Sequence, residues 1–387
     1  MRIKEVWART ILDSRGDYSI EVMVNGHKTS APSGKSLGKY EKPAYKKSLR
    51  DDVEFVHKLR PTNFPIIRTF EDLEILEKEM KNHIGANTLF ALEASILKAL
   101  AHENNTSLWK FLNPLARIFP RILSNTVGGG AHSPGIKPDF QEFLVVCNKD
   151  PSIAKVVNKN CHEQAGRLLS NLSDTKKGLA KNDENAWQTE FDNELVLEIM
   201  KEVQEDVSEE TGMAVGLGLD CAASQFFSKD KYTYRNKKKT RTSKEQIKYI
   251  LDLAKKYNLT YIEDPLDEED FEGFAEIMKN TNCMIVGDDL TVTNFERVQK
   301  AIDMQSINAV IIKPNQTGSL LEVKRIIDLC NRFGIRTIMS HRSGETFDDT
   351  IADLAFAWQC DFIKIPVIGR EREIKVDRLI HIEQKMR

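Results

Sequence analysis

From Val215 to Lys364 the chain repeats one pattern: a short apolar run, a polar or charged residue, then a stretch with helical spacing. Val215–Leu219 leads to Asp220, Leu259–Ile262 to Glu263 and Cys283–Gly287 to Asp288. Ala309–Ile312 leads to Lys313, Ile335–Ser340 to His341 and Cys360–Ile363 to Lys364. From Glu263 onward these polar residues lie 25, 25, 28 and 23 positions apart, the length that a strand, a loop and a helix need together. Unbroken apolar runs of this length suit strands buried on both faces. The segments between them carry helical spacing, as at Phe274, Ile277 and Met278, or at Val323, Ile326, Ile327 and Leu329. Strands alternating with helices predict a parallel sheet, and many in succession predict an α/β fold of the (β/α) barrel type. Residues just past the carboxyl ends of barrel strands face one mouth. A single charge there would merely open a polar loop. Six in succession, three acids and then bases, predict a functional mouth lined by Asp220, Glu263, Asp288, Lys313, His341 and Lys364.

The chain before the repeats reads differently. Residues 1–30 predict a strand hairpin, with alternation at Ile20–Val24 and a tight-turn signal at Asn25-Gly26. Residues 31–41, rich in Gly, Ser and Pro, predict a mobile loop. The Gly34-Lys35-Ser36 within it is not a nucleotide-binding loop, because Thr29 stands where the upstream glycine is required. Helical spacing dominates residues 44–113, most clearly in the apolar stripe of residues 88–112. The pattern stops near Pro114–Pro120, which sets the expected boundary between a domain of residues 1–118 and a barrel of residues 119–387. A strand is expected at Ile122–Val127, followed by Gly128-Gly129-Gly130-Ala131-His132, where glycines let the backbone approach a ligand. Glu142 precedes a second strand, residues 151–172 read as helix, and Asn182–Trp187 forms a polar turn containing Asp183 and Glu184. The basic stretch 228–242 is expected to be an exposed loop.

A formal net charge of -2 gives no reason to expect a nucleic-acid or membrane surface as partner. Six cysteines without a CxxC pair read as reduced core thiols. The charged start and the lack of a long apolar run predict a cytoplasmic protein.

Asp220, Glu263 and Asp288 offer an all-oxygen cluster of the kind that suits Mg²⁺. Lys313, one strand further round, is placed to act as a base, because a neighbouring cation disfavours its ammonium form. Glu184 is placed to act as the matching acid. Arg342 and Ser343 offer the donors an anionic phosphate needs. This set suits proton abstraction alpha to a carboxylate, with the developing charge met by metal and Lys364.

Several stretches resemble the enolase family: Ala8-Arg9 through Asp13-Ser14-Arg15-Gly16, Ile84–Asn87, Gly218–Ala222, Ile262–Pro265, Asp288–Asn294, Lys313–Gly318 and Ser340–Glu345. Enolase-superfamily sites are known to pair a Lys or His base with Mg²⁺. The resemblance implies a small α+β domain before a modified barrel, and a homodimer or higher homo-oligomer. It implies dehydration of 2-phospho-D-glycerate, a small phosphorylated carboxylate, with two Mg²⁺ ions per site. By the same resemblance, Asp220, Glu263 and Asp288 hold the first Mg²⁺, Lys313 removes the proton and Glu184 helps expel the hydroxyl. Glu142 and His132 line the leaving-group side. His341 binds substrate, Arg342 and Ser343 bind its phosphate, and Lys364 binds the carboxylate. Ser36, on the closing loop, joins the second metal and the phosphate.

The loops depart from the family's pattern. In Ser-Gly-Ala-Ser-Thr-Gly, Lys35 and Leu37 replace Ala and Thr. Asn-Gly-Gly-x-His begins instead with Gly128, and Gly-Asp-Glu-Gly-Gly becomes Asn182-Asp183-Glu184-Asn185-Ala186. The Thr-Gly-Ala-Pro after the lysine becomes Ile365-Pro366-Val367-Ile368. Loop closure is expected to carry Lys35 toward phosphate and metal, favouring a more anionic ligand and repelling the metal. The competing readings are an enolase-like enzyme for another phosphorylated hydroxy acid and a non-catalytic binding protein; retention of both Lys313 and Glu184 speaks against the latter.

Overall fold

The computed structural model describes residues 1–35, 38–173 and 178–386, with Asn63 described by its backbone alone. The amino-terminal part holds a three-stranded antiparallel sheet of Val6–Leu12, Tyr18–Val24 and His27–Ser30, paired in chain order. Asn25 and Gly26 both take positive φ, 49° and 85°, which is the turn that an Asn-Gly hairpin demands. The helix Ala86–Glu103 lies on this sheet, with Ser95 Oγ donating to Val22 O at 2.9 Å. The expected stripe of residues 88–112 is two helices rather than one. Asn105 turns left-handed at φ 52°, and the chain restarts as Leu108–Leu112. The longer helix is also buried nearly all round, because it is wedged between the sheet and the barrel.

The barrel has eight strands: Arg121–Gly128, Glu142–Cys147, Val215–Asp220, Tyr261–Glu263, Met284–Gly287, Ala309–Ile312, Arg336–Ser340 and Phe362–Lys364. The eighth pairs with the first and closes the ring. Neighbours from the third strand onward run parallel, as does the closing pair. The second strand runs antiparallel to both of its neighbours. Its link from the first strand holds no crossover helix, only one 3-10 turn at Gly130–His132. A link of that kind returns the chain antiparallel. The reversal matters for function: Glu142, at the start of its strand, lies at the same end as the carboxyl ends of the others, opposite Asp220 in register.

Leu123, Leu144, Val146, Tyr261, Met284, Val286, Ala309, Ile311, Ile338 and Phe362 fill the barrel interior. A second core joins the strands' outer faces to the helices and continues into the amino-terminal sheet. All six cysteines are buried and free. The stretch expected as an exposed basic loop is instead a small antiparallel sheet of Phe227–Ser228, Lys231–Tyr234 and Lys239–Arg241. Tyr232 and Tyr234 are buried, and the Arg241 guanidinium lies 3.6 Å over the Tyr249 ring. The lysines dominated the composition, while two aromatic side chains decide the fold. No helix among the described residues is long and apolar enough to cross a membrane.

Candidate active site

Parallel register and ring closure bring the strand ends together. Asp220 and Glu263 end adjacent strands and are direct partners across them. Lys364 ends the eighth strand, and its Nζ donates to Asp220 Oδ2 at 2.9 Å and to both Glu263 oxygens at 2.8 Å. It also forms an ion pair with Glu142 Oε2 at 2.8 Å. Burial opposes the Lys364 charge, but Asp220, Glu142 and Glu263 outweigh it and hold the amine firmly protonated. Glu263 is fully buried and takes a hydrogen bond from the Tyr261 hydroxyl. Burial and the Asp220 charge push it up to about 8, against the pull of Lys364.

Asp288 stands one residue past the fifth strand, with Lys313 Nζ paired to its Oδ2. Burial opposes ionisation of Asp288, yet Lys313 and Lys364 keep it below the usual carboxylate range. Burial likewise opposes the Lys313 charge, and Asp288 raises it above the ordinary lysine value. The buried Asp264 accepts from the backbone N–H of Asp288 at 3.1 Å and of Asp289 at 2.6 Å, which orients this turn. Asp264, Asp288 and Asp289 each bring a carboxylate oxygen within 4.8 Å of the others. Asp288 Oδ1 is buried with no hydrogen-bond donor. Carboxylate oxygens on adjacent strand ends, one of them lacking a donor, fit a hard divalent cation.

The other side of the mouth is acidic in a different way. Glu142, Glu184 and His341 each bring one polar atom within 4.8 Å of the others, all buried. Burial and then Glu184's charge push Glu142 well above the carboxylate range. For Glu184, burial acts upward, but His132, His341 and Arg372 pull it well below. The two neighbouring carboxylates are thus driven in opposite directions, Glu142 upward and Glu184 downward. Burial drives His341 well below the histidine range, so its ring is neutral, and its Nδ1 has no hydrogen-bond partner. His132 Nδ1 lies 3.1 Å from Asp183 Oδ1 and 3.7 Å from Glu184 Oε1. Burial would lower His132, but Glu184 and Asp183 raise it.

Two departures from the family's loops prove to be reciprocal. Asn182 stands where the family has Gly, and Gly128 where it has Asn. A Cβ on Gly128 would collide with the Asn182 amide. Asn182 Oδ1 accepts from the N–H groups of Glu184 and Ala186, both at 3.0 Å, and so holds the acid's turn.

The loop from Ser33 closes the remaining side. Ser33 and Gly344 exchange backbone hydrogen bonds at 2.7 and 2.9 Å. Ser343 Oγ accepts from Lys35 N at 2.9 Å and from Arg15 Nη1 at 3.0 Å. Arg342 is buried, and Glu41 grips its two terminal nitrogens at 2.9 and 3.0 Å, while Asn315 Oδ1 takes Nη1 at 3.1 Å. Lys35 Nζ does not turn to the expected phosphate and metal side; it pairs with Asp183 Oδ2 at 3.1 Å. Ser36 and Leu37 lie outside the described residues.

The structure thus gathers His132, Glu142, Glu184, Asp220, Asp288, Lys313, His341, Arg342, Ser343 and Lys364 around one cavity, with Glu263 beneath Lys364. Sequence reasoning missed Glu41 and Arg372. Glu41 is a lone acid after a glycine-rich loop, and nothing in its surroundings marks it. Arg372 sits in a charged helix, Arg370–Met386, that reads as solvent-exposed, yet it is buried, with Nη2 donating to Asp183 O at 3.1 Å and Ser343 O at 2.8 Å.

Residues 116–387 match the family described as enolase, C-terminal TIM barrel domain. The enolase of Methanocorpusculum labreanum is 39% identical over 400 residues, covering 99% of this chain and 99% of that protein. The enolase of Methanothermobacter thermautotrophicus is 37% identical over 404 residues, covering 99% and 97%. That of Archaeoglobus fulgidus is 35% identical over 404 residues, covering 100% and 98%. Barrel and amino-terminal domain are both spanned by these matches, and the chain belongs to the enolase family as an enolase or enolase-like lyase.

Proposed function

We propose that the chain dehydrates 2-phospho-D-glycerate to phosphoenolpyruvate, with Lys313 as base and Glu184 as acid. One observation carries this reading: base and acid stand across a single mouth. Lys313 follows the sixth strand and Glu142 opens the second, four places apart in a ring of eight, with Glu184 beside Glu142. A C2 proton can then leave on one face and a C3 hydroxyl on the other. Lys313, as the neutral amine, takes the C2 proton. The electron pair left at C2 passes into the carboxylate and returns to form the C2–C3 double bond as the C3–O bond breaks. The hydroxyl departs as water, with a proton that Glu184, beside Glu142, delivers. Arg342 and Ser343 hold the phosphate, Lys364 the carboxylate, Glu142 and His132 line the leaving-group side, and His341 contacts the substrate. Asp220, Glu263 and Asp288 would hold one Mg²⁺, and Ser36 would join a second. Bound Mg²⁺ supplies charge compensation at the substrate carboxylate and disfavours the Lys313 ammonium.

The test is the ultraviolet absorbance of phosphoenolpyruvate formed from 2-phosphoglycerate. Formation should cease on chelation and resume with added Mg²⁺. No formation with any divalent cation overturns the reading. It also implies a place in glycolysis and gluconeogenesis, a cytoplasmic location, a homodimer or higher homo-oligomer, and a domain division at residues 118–119.

A further inference from the structure

Lys35 stands where the family's loop carries an alanine. Its main chain is set firmly. The N–H donates to Ser343 Oγ at 2.9 Å. The preceding Gly34 runs so close to Arg342 that an added Cβ would collide with the guanidinium. From this fixed point the side chain reaches the acid's loop, placing Nζ 3.1 Å from Asp183 Oδ2. The other oxygen of Asp183 lies 3.1 Å from His132 Nδ1, and that same nitrogen lies 3.7 Å from Glu184 Oε1. The Asp183 carbonyl is fixed by Arg372 Nη2 at 3.1 Å. A single row of polar groups runs Lys35, Asp183, His132, Glu184.

An exposed lysine beside a carboxylate contributes little in general, and the Lys35 side chain is 42% exposed. Two facts set this pair apart. Both residues are anchored through their backbones, so the pair bridges two points of the chain that are already fixed. The carboxylate is also shared with an imidazole that faces the acid. Without Lys35, Asp183 would have His132 as its sole side-chain cation among these partners and would compete more strongly with Glu184 for it. We propose that Lys35 is a positioning residue: by holding one oxygen of Asp183 it sets how closely His132 serves Glu184, and it ties the first loop to the acid's loop. The role at Glu184 rests on the reading of that residue as the acid.

Two measurements test it. The first needs no substrate. Hydrogen exchange at the amides of residues 129–133 and 182–186 should quicken about fivefold in Lys35→Met and return to the wild-type rate in Lys35→Arg. Unchanged exchange in Lys35→Met overturns the tie between the loops. The second is kinetic, with 2-phosphoglycerate and Mg²⁺. Lys35→Met should lower kcat about fivefold with KM within about twofold, and Lys35→Arg should recover most of it. The double variant Lys35→Met with Asp183→Asn should lose no more than Asp183→Asn alone. A raised KM at constant kcat places Lys35 on the substrate, and independent, multiplying losses separate it from Asp183; either result overturns the proposal. A wild type inactive on 2-phosphoglycerate, with exchange still quickened in Lys35→Met, refutes the substrate reading and supports the tie.

Discussion

The mouth has two walls built on different principles. In one, Asp220, Glu263, Asp288, Lys313 and Lys364 end or directly follow short buried strands, and their charges are answered within the wall. In the other, residues 33–35, 38–41, 129–133 and 182–186 lie mostly outside strands and long helices. They are held by bonds that cross great lengths of chain, Arg342 to Glu41, Lys35 to Asp183 and Arg372 to the Asp183 carbonyl, and by a nearer one from His162 to the Asn185 carbonyl. A strand end is fixed by its ladder and cannot shift without moving the barrel. A loop can exchange one cross-link for another, provided the acid stays in place. Lys35, Gly128, Asn182 and Asn185, four of the places where the chain departs from the family's loop motifs, stand on loop segments or at the strand end beside them, while a further departure, at Ile365, directly follows Lys364 of the strand wall. Gly128 and Asn182 illustrate how that wall is built: the glycine leaves room for the amide, whose oxygen supports the turn of Glu184.

Separating base from acid is the most forceful way to break the comparison. Lys313→Ala should remove both dehydration and exchange of the C2 proton into solvent, each by roughly 10²–10⁴-fold. Glu184→Gln should slow dehydration by a similar factor and leave exchange within a few-fold of wild type. Deuterium uptake at C2, followed by nuclear magnetic resonance, separates the two. Equal loss of exchange in both variants would mean that the walls do not divide the steps.

The strand wall was legible in the sequence because a buried parallel strand leaves a plain trace: an unbroken apolar run with one polar residue at its end. Asp220, Glu263, Asp288, Lys313 and Lys364 could be placed by counting. Glu142 could not be placed by that rule, since a parallel second strand would carry it to the far end of the barrel. The needed signal lay in the Gly- and Pro-bearing link of residues 129–141, which has no helical spacing and so no crossover helix. The loop wall was legible only through family motifs. Motifs named Glu184 and Arg342 but not their partners, because a lone Glu41 or Lys35 has no periodicity and its contact lies hundreds of residues away in the chain. The small sheet at Phe227–Arg241 was missed for a related reason. Its strands are too short to show alternation against a background of lysines.

Glu41 joins the two walls and is the next point at which to press. It takes both terminal nitrogens of Arg342, so an arriving phosphate meets a guanidinium already oriented. Glu41→Gln keeps the shape and removes the charge. If Glu41 preorganises Arg342, KM for 2-phosphoglycerate should rise about tenfold, as expected for loss of a charge-assisted hydrogen bond, with a smaller change in kcat. A lower KM would instead make Glu41 a competitor of the phosphate, and the loop wall an obstacle to binding rather than a support.

The smallest effect concerns what holds the acid's turn from behind. His162, in the helix Pro151–Leu172, lies with Nε2 2.9 Å from the Asn185 carbonyl and stacks on Trp187 at 4.9 Å between ring centres. Burial pushes its ring down to about 4, against the pull of that carbonyl, while an unfolded chain takes the proton near the ordinary value of about 6.5. Between these values the unfolded chain binds more protons, so stability rises with pH across the window. The contribution is fully present above pH 6.5 and is lost as pH falls toward 4, by about 2 kcal/mol at pH 5. His162→Gln keeps a donor for the Asn185 carbonyl and removes the titration. Between pH 7 and pH 5 the Tm of the wild type should therefore fall a few degrees further than that of the variant. Hydrogen exchange at residues 182–186 should quicken over the same range in the wild type and less so in the variant. Parallel falls in Tm would show that this prop is not where acid loosens the loop wall.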